Sequence, residues 1–442
     1  MILDGSSIDD PRAIIAREAM HPRQIMAIGI ATALNALDGF DVLSISFAAP
    51  GIAKQWGIDR AELGLVLSME LIGMAIGAFA LGSLADRLGR RPTTLACLVI
   101  MATGMGLAAA STSVVMLSVV RLLTGLGIGG MLAATNAIVA ECANSRRRNL
   151  AVAIMAGGYP MGAIIGGSIA SILLAATGSW QALFAFGAIV TAAFIPLVLW
   201  LVPETIAFLC VRQPKGALAR INRTMLRQGR APLAALPALA PASAKTGIRE
   251  AFAPGMAGLT SLLVLTYFCH IMTFYFLMKW IPKVVVDMGF APALAGGVLV
   301  WANVGGATGA LALSLLTQRF EVRRLVIAAM LGGAVAVAGF GQGITTLPLL
   351  SLAAAVAGFF TNAATAGLYA VFAQAFPARL RAGGTGLVIG IGRGGAALGP
   401  IVAGLLFSIG WPLALVAPIM ACGCLAGAIA LSRVRPVADD LA

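Results

Sequence analysis

Two aspartates lie inside the first long apolar stretch of the chain, where they could carry protons. Asp38 and Asp41 are in the middle of the run from Ile25 to Ala49, which is long enough to cross a bilayer. An ionised carboxylate at the centre of a spanning helix costs about 2.5–3.5 kcal/mol on insertion scales, so such residues usually face an internal cavity. The i, i+3 spacing places both carboxylates on one helix face. We therefore expect a proton-coupling site here.

Two arginines are predicted to lie inside other apolar runs, where they could bind an anion. A guanidinium stays charged and can grip a carboxylate with two hydrogen bonds. Arg121 has either a coupling or a structural role, because intramembrane charges normally pair and Asp38 or Asp41 is its expected partner. Arg393 has no acid near it in its own run, so it is the better candidate for a substrate carboxylate, unless it reaches to the membrane surface. Glu70 is either a further proton carrier or a partly solvated acid.

An aromatic face in the seventh apolar run could form one wall of a binding cavity. Tyr267, His270 and Phe274 follow i, i+3, i+7 spacing and share one face of a helix. Such a face could stack on a benzene ring, with His270 donating a hydrogen bond; the alternatives are helix packing and an aromatic belt at the membrane surface. Seven further polar side chains are unranked candidates for the cavity lining: Asn35, Asn136, Tyr159, Asn303, Asn362, Tyr369 and Gln374.

Long apolar stretches dominate the composition and predict an integral membrane protein. Of the 442 residues, 60% are hydrophobic and only 11% are charged, with a mean hydropathy of +0.96, which excludes an ordinary soluble domain. A span needs about 20 apolar residues. The sequence thus predicts an all-α membrane protein with twelve transmembrane helices, near 25–49, 63–85, 93–110, 114–139, 150–173, 180–201, 256–280, 291–316, 325–342, 347–371, 383–407 and 411–432.

The basic residues are concentrated in alternate loops, which predicts the orientation of the chain. Of the 30 Lys and Arg residues, 24 fall on the side of the predicted termini, while four are assigned to the opposite side: Lys54, Arg60, Lys279 and Lys283. Because cytoplasmic loops carry the excess of basic residues, we expect both termini in the cytoplasm and the protein in a bacterial inner membrane. The net charge of +13 then needs no nucleic-acid partner.

A long basic segment divides six predicted helices from six. The expected organisation is a cytoplasmic segment 1–24, a six-helix bundle 25–202, a basic linker 203–254, a second bundle 255–432 and a tail 433–442. Two pseudo-symmetric halves of this kind are typical of secondary transporters with a site between them. The linker stretch 216–230 could form amphipathic surface helices. Small residues at 159–167 and 395–404 predict closely packed helices.

The loop between the second and third predicted helices contains Gly82-Ser-Leu-Ala-Asp86-Arg87-Leu-Gly89-Arg90-Arg91. This stretch resembles the signature of the major facilitator superfamily, and the resemblance implies that fold. Glu141 with the arginines that follow it, and Pro203-Glu204-Thr205, are similar to further superfamily elements. The resemblance implies a conformational gate formed by Gly82, Asp86, Arg87, Gly89, Arg90 and Glu141, in which Asp86 makes a charge-assisted contact across the cytoplasmic ends of the two halves.

Within that superfamily, the segment Leu37-Asp38-Gly39-Phe40-Asp41 resembles the hallmark of the aromatic acid:proton symporter family, and Gly392–Pro400 is similar to its second recurring element. The resemblance implies a carrier that uses the proton gradient to import an aromatic carboxylate such as a hydroxybenzoate. We expect a monomer without a cofactor, and no enzymatic activity, because the sequence has no nucleotide loop, metal cluster or nucleophile with a base. Two alternatives stay open. One is a symporter for another organic anion such as a sugar acid. The other is a proton-antiport exporter, because the stretch at Tyr159-Pro160 loosely resembles a glycine-proline element of antiporters.

Overall fold

The computed structural model describes residues 10–238, 252–253, 256–377 and 380–434. Within them, twelve helices are long and apolar enough to cross a membrane, which confirms the predicted fold class. Parts of the expected terminal segments and linker, residues 1–9, 239–251 and 435–442, lie outside the described residues. The spanning helices are α2 (Pro22–Trp56), α3 (Arg60–Leu88), α4 (Arg90–Ala109), α5 (Val114–Cys142), α6 (Arg148–Thr177), α7 (Gln181–Leu201), α10 (Ala257–Asp287), α11 (Pro292–Leu316), α12 (Val322–Phe340), α13 (Leu347–Ala375), α14 (Arg381–Ser408) and α15 (Leu413–Ser432). Three short helices lie outside the spans: α1 (Pro11–Arg17), α8 (Ile206–Arg212) and α9 (Ala217–Arg227).

Several spans extend beyond their apolar cores because turn residues and polar caps set their ends. Helix α2 continues to Trp56 and ends at Gly57, whose φ of 64° is the left-handed conformation that glycine adopts without steric cost. Helix α3 begins directly afterwards, where the Asp59 carboxylate accepts a hydrogen bond from the Glu62 amide at 2.7 Å. The ends of a spanning helix can therefore contain polar residues, which a prediction based on apolar runs leaves out.

The two halves repeat the same packing arrangement. In the first half α3 packs on α5, α2 on α6 and α4 on α7. Six spans later in the chain, α11 packs on α13, α10 on α14 and α12 on α15, which is the same set of pairs. Between the halves, α3 packs on α14 and α6 packs on α11, and these two contacts are again equivalent by the repeat. The pseudo-symmetry places α2 and α10 against each other at the centre.

Glycines bring the helix backbones of each half into direct contact. A β-carbon at Gly162 in α6 would collide with the carbonyl oxygen of Ala36 in α2, and one at Gly39 in α2 would collide with the carbonyl oxygen of Tyr159. The equivalent pair in the second half behaves alike, since Gly395 in α14 lies against the Phe268 carbonyl of α10. Lipid provides no hydrophobic force between helices, so close backbone packing must supply the association energy. These contacts fix where the polar side chains of α2 and α10 point.

The short helices form a small layer at one end of the bundle. We call this the basic end; it contains the turns at residues 88–90 and 142–148, and the other is the opposite end. Helix α9 lies within the linker stretch where an amphipathic helix was expected. Its buried residues Ile221 and Met225 pack with Ile15 of α1 and Phe208 of α8 in a separate apolar cluster. The linker therefore rests on the bundle at this end.

Two single-methyl substitutions in α6 test the backbone contact. Gly162→Ala should lower the free energy of unfolding by about 1–3 kcal/mol, the usual cost of overpacking, because the added methyl group meets the α2 backbone. Gly157→Ala is the matched control, since a β-carbon there meets nothing within 4 Å. Replacing glycine by alanine in a helix is favourable by about 0.5–1 kcal/mol. Thermal unfolding of the purified protein measures both variants, and equal shifts would contradict the contact.

Candidate functional site

The aspartate pair of α2 is buried and has no hydrogen-bond partner. Asp38 is 2% exposed and Asp41 is fully buried, and neither carboxylate accepts a hydrogen bond from any described residue. The backbone carbonyl of Asp41, in contrast, accepts hydrogen bonds from Arg121 Nη2 at 2.9 Å and from Ser44 Oγ at 2.7 Å. The structure therefore holds two carboxylates free of fixed donors in the interior of the first half.

Glu70 of α3 is the acid that pairs with Arg121. The carboxylate and the guanidinium are both fully buried and form a salt bridge through Glu70 Oε1 and Arg121 Nη2. The expectation that Asp38 or Asp41 would pair with Arg121 is corrected by this contact, as is the alternative that Glu70 is partly solvated. Phe184 also covers the guanidinium, with its ring centroid 5.4 Å from Arg121 Cζ.

Lys279 of α10 reaches the same carboxylate from the other half. Its Nζ lies 3.4 Å from Glu70 Oε2 and donates a hydrogen bond to the carbonyl oxygen of Val42 in α2. The sequence assignment of Lys279 to a loop on the opposite side was wrong, because α10 continues to Asp287 and Lys279 is fully buried. Glu70 thus forms an ion pair with a cation of each half, which makes it a direct polar link between them.

Arg393 of α14 lies among the tyrosines of the chain. The sequence has four tyrosines, and all four are within electrostatic range of the Arg393 guanidinium: Tyr159, Tyr267, Tyr275 and Tyr369. No acid among the described residues forms a salt bridge with Arg393, so its charge faces neutral hydroxyl groups instead. We call these five residues the tyrosine ring. It is a cationic centre bordered by aromatic faces.

The tyrosine ring is ordered by contacts between its members and spans both halves. The hydroxyls of Tyr267 and Tyr369 are hydrogen-bonded at 3.1 Å, and the Tyr267 ring packs edge-on against Phe372 at 5.6 Å. Tyr159 comes from α6 in the first half and interacts through its hydroxyl with Tyr275 of α10 in the second half. The ring therefore changes shape if the halves move relative to each other.

The other residues that were predicted to bind substrate lie in different surroundings. His270 is buried inside the second half, where its Nε2 lies 3.0 Å from the Thr361 carbonyl and its Nδ1 lies 3.4 Å from Cys424 Sγ. Phe274 packs edge-on against Tyr275, with ring centroids 5.2 Å apart. Asn35 donates a hydrogen bond to the Met155 carbonyl at 2.6 Å, and its side-chain oxygen is buried without a partner.

His270 and Tyr267 have one neighbouring helix in common and otherwise different surroundings. Both contact α13, but His270 also contacts α15, while Tyr267 lies against Gly392 of α14. Every hydrogen bond described for His270 thus stays within the second half, and its role in substrate binding stays a prediction.

At the basic end, the predicted gate residues form a network within the first half. Arg90 lies 3.1 Å from the Asp86 carboxylate and 2.8 Å from that of Glu141. Asp86 has 68% of its side chain exposed, and its backbone carbonyl accepts a hydrogen bond from Arg212 Nε. The contact that Asp86 was expected to make with the other half is absent from the described residues in this conformation. Gly89 has a φ of 115°, which explains the glycine at this position, while Gly82 and Arg87 lie in the last turns of α3 and not in a loop.

Glu204 organises this network and was not among the predicted gate residues. Its Oε1 accepts hydrogen bonds from the Arg90 amide at 2.9 Å and the Thr205 amide at 3.1 Å. Burial raises the pKa of the Glu204 carboxyl, and the backbone donors oppose this. The signal in sequence was its position beside the superfamily-like Pro203-Glu204-Thr205 element.

Three residues of the site were missed or left unranked by sequence reasoning: Lys279, Tyr275 and Tyr369. The signal for Lys279 was a lysine within an apolar stretch, between Met278 and Trp280. Trp280 is 1% exposed and donates a hydrogen bond to the Pro400 carbonyl at 3.2 Å, so it is a core residue rather than part of a belt at the membrane surface.

Comparison with known proteins agrees with this architecture. The family profile described as Major Facilitator Superfamily matches residues 31–316 and 263–441. The chain belongs to the major facilitator superfamily. It is therefore a multi-pass membrane transporter and not an enzyme. Among solved structures, the inward-open xylose transporter XylE from Escherichia coli has a TM-score of 0.71 at 18% identity, over 94% of this chain and 97% of that one, which shows the shared fold.

Within the superfamily, this transporter is related to carriers of aromatic acids. It is 31% identical over 403 residues to the gallate transporter of Pseudomonas putida, covering 89% of this chain and 88% of that protein. It is also 31% identical over 412 residues to the 4-hydroxybenzoate transporter PcaK of Pseudomonas aeruginosa, covering 91% and 90% of the two chains. The recognition of an aromatic-acid transporter relative from the residues of α2 and α14 is confirmed.

A pair of lysine substitutions in α10 tests the link between the halves. Lys279→Met should lower the free energy of unfolding by about 1.5–3 kcal/mol, because it removes the charged hydrogen bonds of Lys279 to Glu70 and to the Val42 carbonyl, while Glu70 keeps its ion pair with Arg121. The matched control is Lys283→Met, one turn further along, where the lysine pairs with Asp287 near the surface. Such pairs contribute about 0–1 kcal/mol. Thermal unfolding of this transporter in detergent measures both, and similar losses would contradict the link.

Proposed function

We propose that this protein imports an aromatic carboxylate of the hydroxybenzoate type together with protons, by alternating access, in a bacterial plasma membrane with both termini cytoplasmic. The observation that carries the proposal is Arg393 in the tyrosine ring, a half-buried cation with four tyrosines near it and no salt bridge to an acid among the described residues. A substrate carboxylate would supply the missing negative charge. The names of the related gallate and 4-hydroxybenzoate transporters support the aromatic class over a sugar acid.

The tyrosine ring fits the two chemical features of such a substrate. The Arg393 guanidinium offers parallel N–H donors that match a carboxylate. The tyrosine hydroxyls can donate hydrogen bonds to a hydroxyl group of the substrate or accept them from it, and the aromatic side chains can pack on the benzene ring of the substrate. Phe274, which packs on Tyr275, extends the aromatic surface. A substrate bound here would contact both halves, because Tyr159 and Tyr275 belong to different bundles.

The balance of buried charge supports coupling of the anion to a proton. Among the described residues, the interiors of the spans hold three carboxylates and three cations: Asp38, Asp41, Glu70, Arg121, Lys279 and Arg393. Adding one substrate anion leaves one uncompensated negative charge, which is costly inside a membrane. Uptake of one proton restores the balance. The aspartate pair is the place to receive it, because its carboxylates have no cation or hydrogen-bond donor bound to them.

The contacts between the halves support an alternating-access cycle. In the described residues, the ion pairs between the halves are Glu70 with Lys279 and Arg60 with Asp287, the latter at 3.1 Å. Arg60 and Asp287 lie at the opposite end, where Gly64 also packs against the Pro400 carbonyl. We infer that this conformation is closed at the opposite end. Opening there would break both ion pairs, and the Asp86 network at the basic end would then meet the second half.

Neutralising one aspartate should separate accumulation from binding. Asp41→Asn cannot carry the proton, so accumulation of 4-hydroxybenzoate against its gradient in proteoliposomes should be lost, while counterflow persists. In the wild type, uptake should rise as the external pH falls. Asp59→Asn is the control, because it changes a carboxylate of the same half but keeps a residue suited to capping α3. Wild-type accumulation by Asp41→Asn would sink the coupling assignment.

Substitution of the ring cation should change substrate affinity. Arg393→Lys keeps the charge but loses the paired donors, and hydrogen bonds to charged groups are worth about 1.5–3 kcal/mol. The half-saturation concentration for 4-hydroxybenzoate should therefore rise by roughly tenfold or more. Tyr369→Phe should affect hydroxybenzoates more than benzoate. Proteoliposome uptake of hydroxybenzoates, cinnamates and sugar acids provides the measurement. Preferred uptake of sugar acids would replace the aromatic assignment, and export driven by inward proton flow would replace import.

A further inference from the structure

A cavity rich in arginine lies at the basic end, apart from the tyrosine ring and the aspartate pair. It has a volume of about 460 Å³ and lies beneath the end of α7, between α9 and the start of α2. Five arginines line it: Arg23, Arg91, Arg220, Arg223 and Arg227. The acid in the lining is Glu204. A concave surface with this excess of positive charge calls for an anionic ligand.

The sequence of α9 is arranged to present arginines to this cavity. Arg220, Arg223 and Arg227 follow i, i+3, i+7 spacing and therefore share one face of the helix. The opposite face carries Ile221 and Met225, which are fully buried in the apolar cluster with α8. That cluster fixes the rotation of α9. The three guanidinium groups are consequently held on the cavity side, and no acid among the described residues forms a salt bridge with them.

Glu204 is one acid against five arginines in the lining. Its Oε1 accepts hydrogen bonds from the backbone amides of Arg90 and Thr205, and its negative charge, which acts on Arg220, offsets only one of the five positive charges. Arg91 donates through Nη2 to the Leu199 carbonyl at 2.5 Å, and its buried Nε has no hydrogen-bond partner in the described structure. An unpaired buried donor next to an unpaired arginine face is the chemistry of a phosphate site.

The border of the cavity is apolar and faces the surrounding lipid. Trp200 at the end of α7 is 79% exposed, and Leu199 and Met26 beside it are also exposed. Tryptophan is enriched where a span meets the headgroup layer. A free phosphate ion would make no use of these side chains. A lipid, in contrast, would place its phosphate among the arginines and its acyl chains along Trp200 and Met26.

We propose that this cavity binds the phosphate headgroup of an anionic phospholipid. Basic pockets beside spans are suited to such headgroups. The bound lipid would hold α9, and with it the linker between the halves, against the membrane surface. The proposal rests on residues outside the tyrosine ring and the aspartate pair, so it stands or falls independently of the transported substrate.

Three matched proteins test the proposal: the wild type, Arg220→Gln/Arg223→Gln/Arg227→Gln, and the control Arg319→Gln/Arg324→Gln/Arg433→Gln. The control removes the same charge from exposed residues at the same end of the second half. Each purified protein is titrated in detergent with phosphatidylglycerol and with phosphatidylcholine, and bound lipid is counted by native mass spectrometry. Phosphatidylglycerol should bind the cavity variant roughly a hundredfold more weakly, since each basic residue near an anionic surface contributes a factor of about five. The control should bind as the wild type does.

Competition separates the lipid from a soluble phosphate. Glycerol phosphate and inorganic phosphate should displace phosphatidylglycerol only weakly, and Trp200→Ser should weaken lipid binding without changing the thermal midpoint in phosphatidylcholine. Equal losses of phosphatidylglycerol binding in the two triple variants would show a general attraction of the lipid to basic residues, and would overturn the proposed binding site. Displacement by inorganic phosphate at concentrations similar to those of the lipid would overturn the lipid assignment.

Discussion

The sharing of Glu70 between Arg121 and Lys279 is the interaction on which the interior of this transporter depends. A charge buried in a membrane protein must be paired or face water. Here one carboxylate is bound by a cation from each half, and Arg121 and Lys279 also donate to consecutive carbonyls of α2, those of Asp41 and Val42. The two halves and the first span are thereby joined at one point, next to the aspartate pair.

That arrangement leaves specific groups without partners, and the proposed function is built on them. Because Glu70 satisfies both nearby cations, the Asp38 and Asp41 carboxylates remain free of fixed donors. On the other side of the interface, Arg393 has neutral tyrosine hydroxyls around it. In the function that we propose, a proton and an organic anion are the two ligands that complete these groups. A substrate that contacts both halves would then change their relative position, and with it the contact between Glu70 and Lys279.

Glycine packing and polar pairing depend on each other in this fold. The contacts of Gly39 and Gly162 bring α2 and α6 so close that Asn35 can donate to the α6 backbone. The same closeness in the second half sets Gly392 and Gly395 of α14 against α10, which brings Arg393 towards Tyr267. Small residues therefore act on the site indirectly, because they set the depth and rotation of the helices that carry the charged side chains.

The sequence by itself determined the twelve spans, the aspartate pair, the intramembrane arginines and the superfamily-like loop. These could be predicted because the bilayer sets the length and polarity of each span. A charge within an apolar run can therefore be recognised from the local sequence alone. The sequence prediction assigned Lys279 to a loop because the apolar run stops there. Helix α10 continues beyond that point to Asp287, which places Lys279 inside the span.

Only the tertiary structure decided which charges pair. Arg121 binds Glu70 and not the aspartates, His270 faces the core of its own half, and four tyrosines from α6, α10 and α13 converge on Arg393. Each outcome depends on the rotation and depth of helices that are far apart in the chain. Those quantities are set by backbone contacts between helices, such as that of Gly162 with Ala36, and no local pattern in the sequence encodes them.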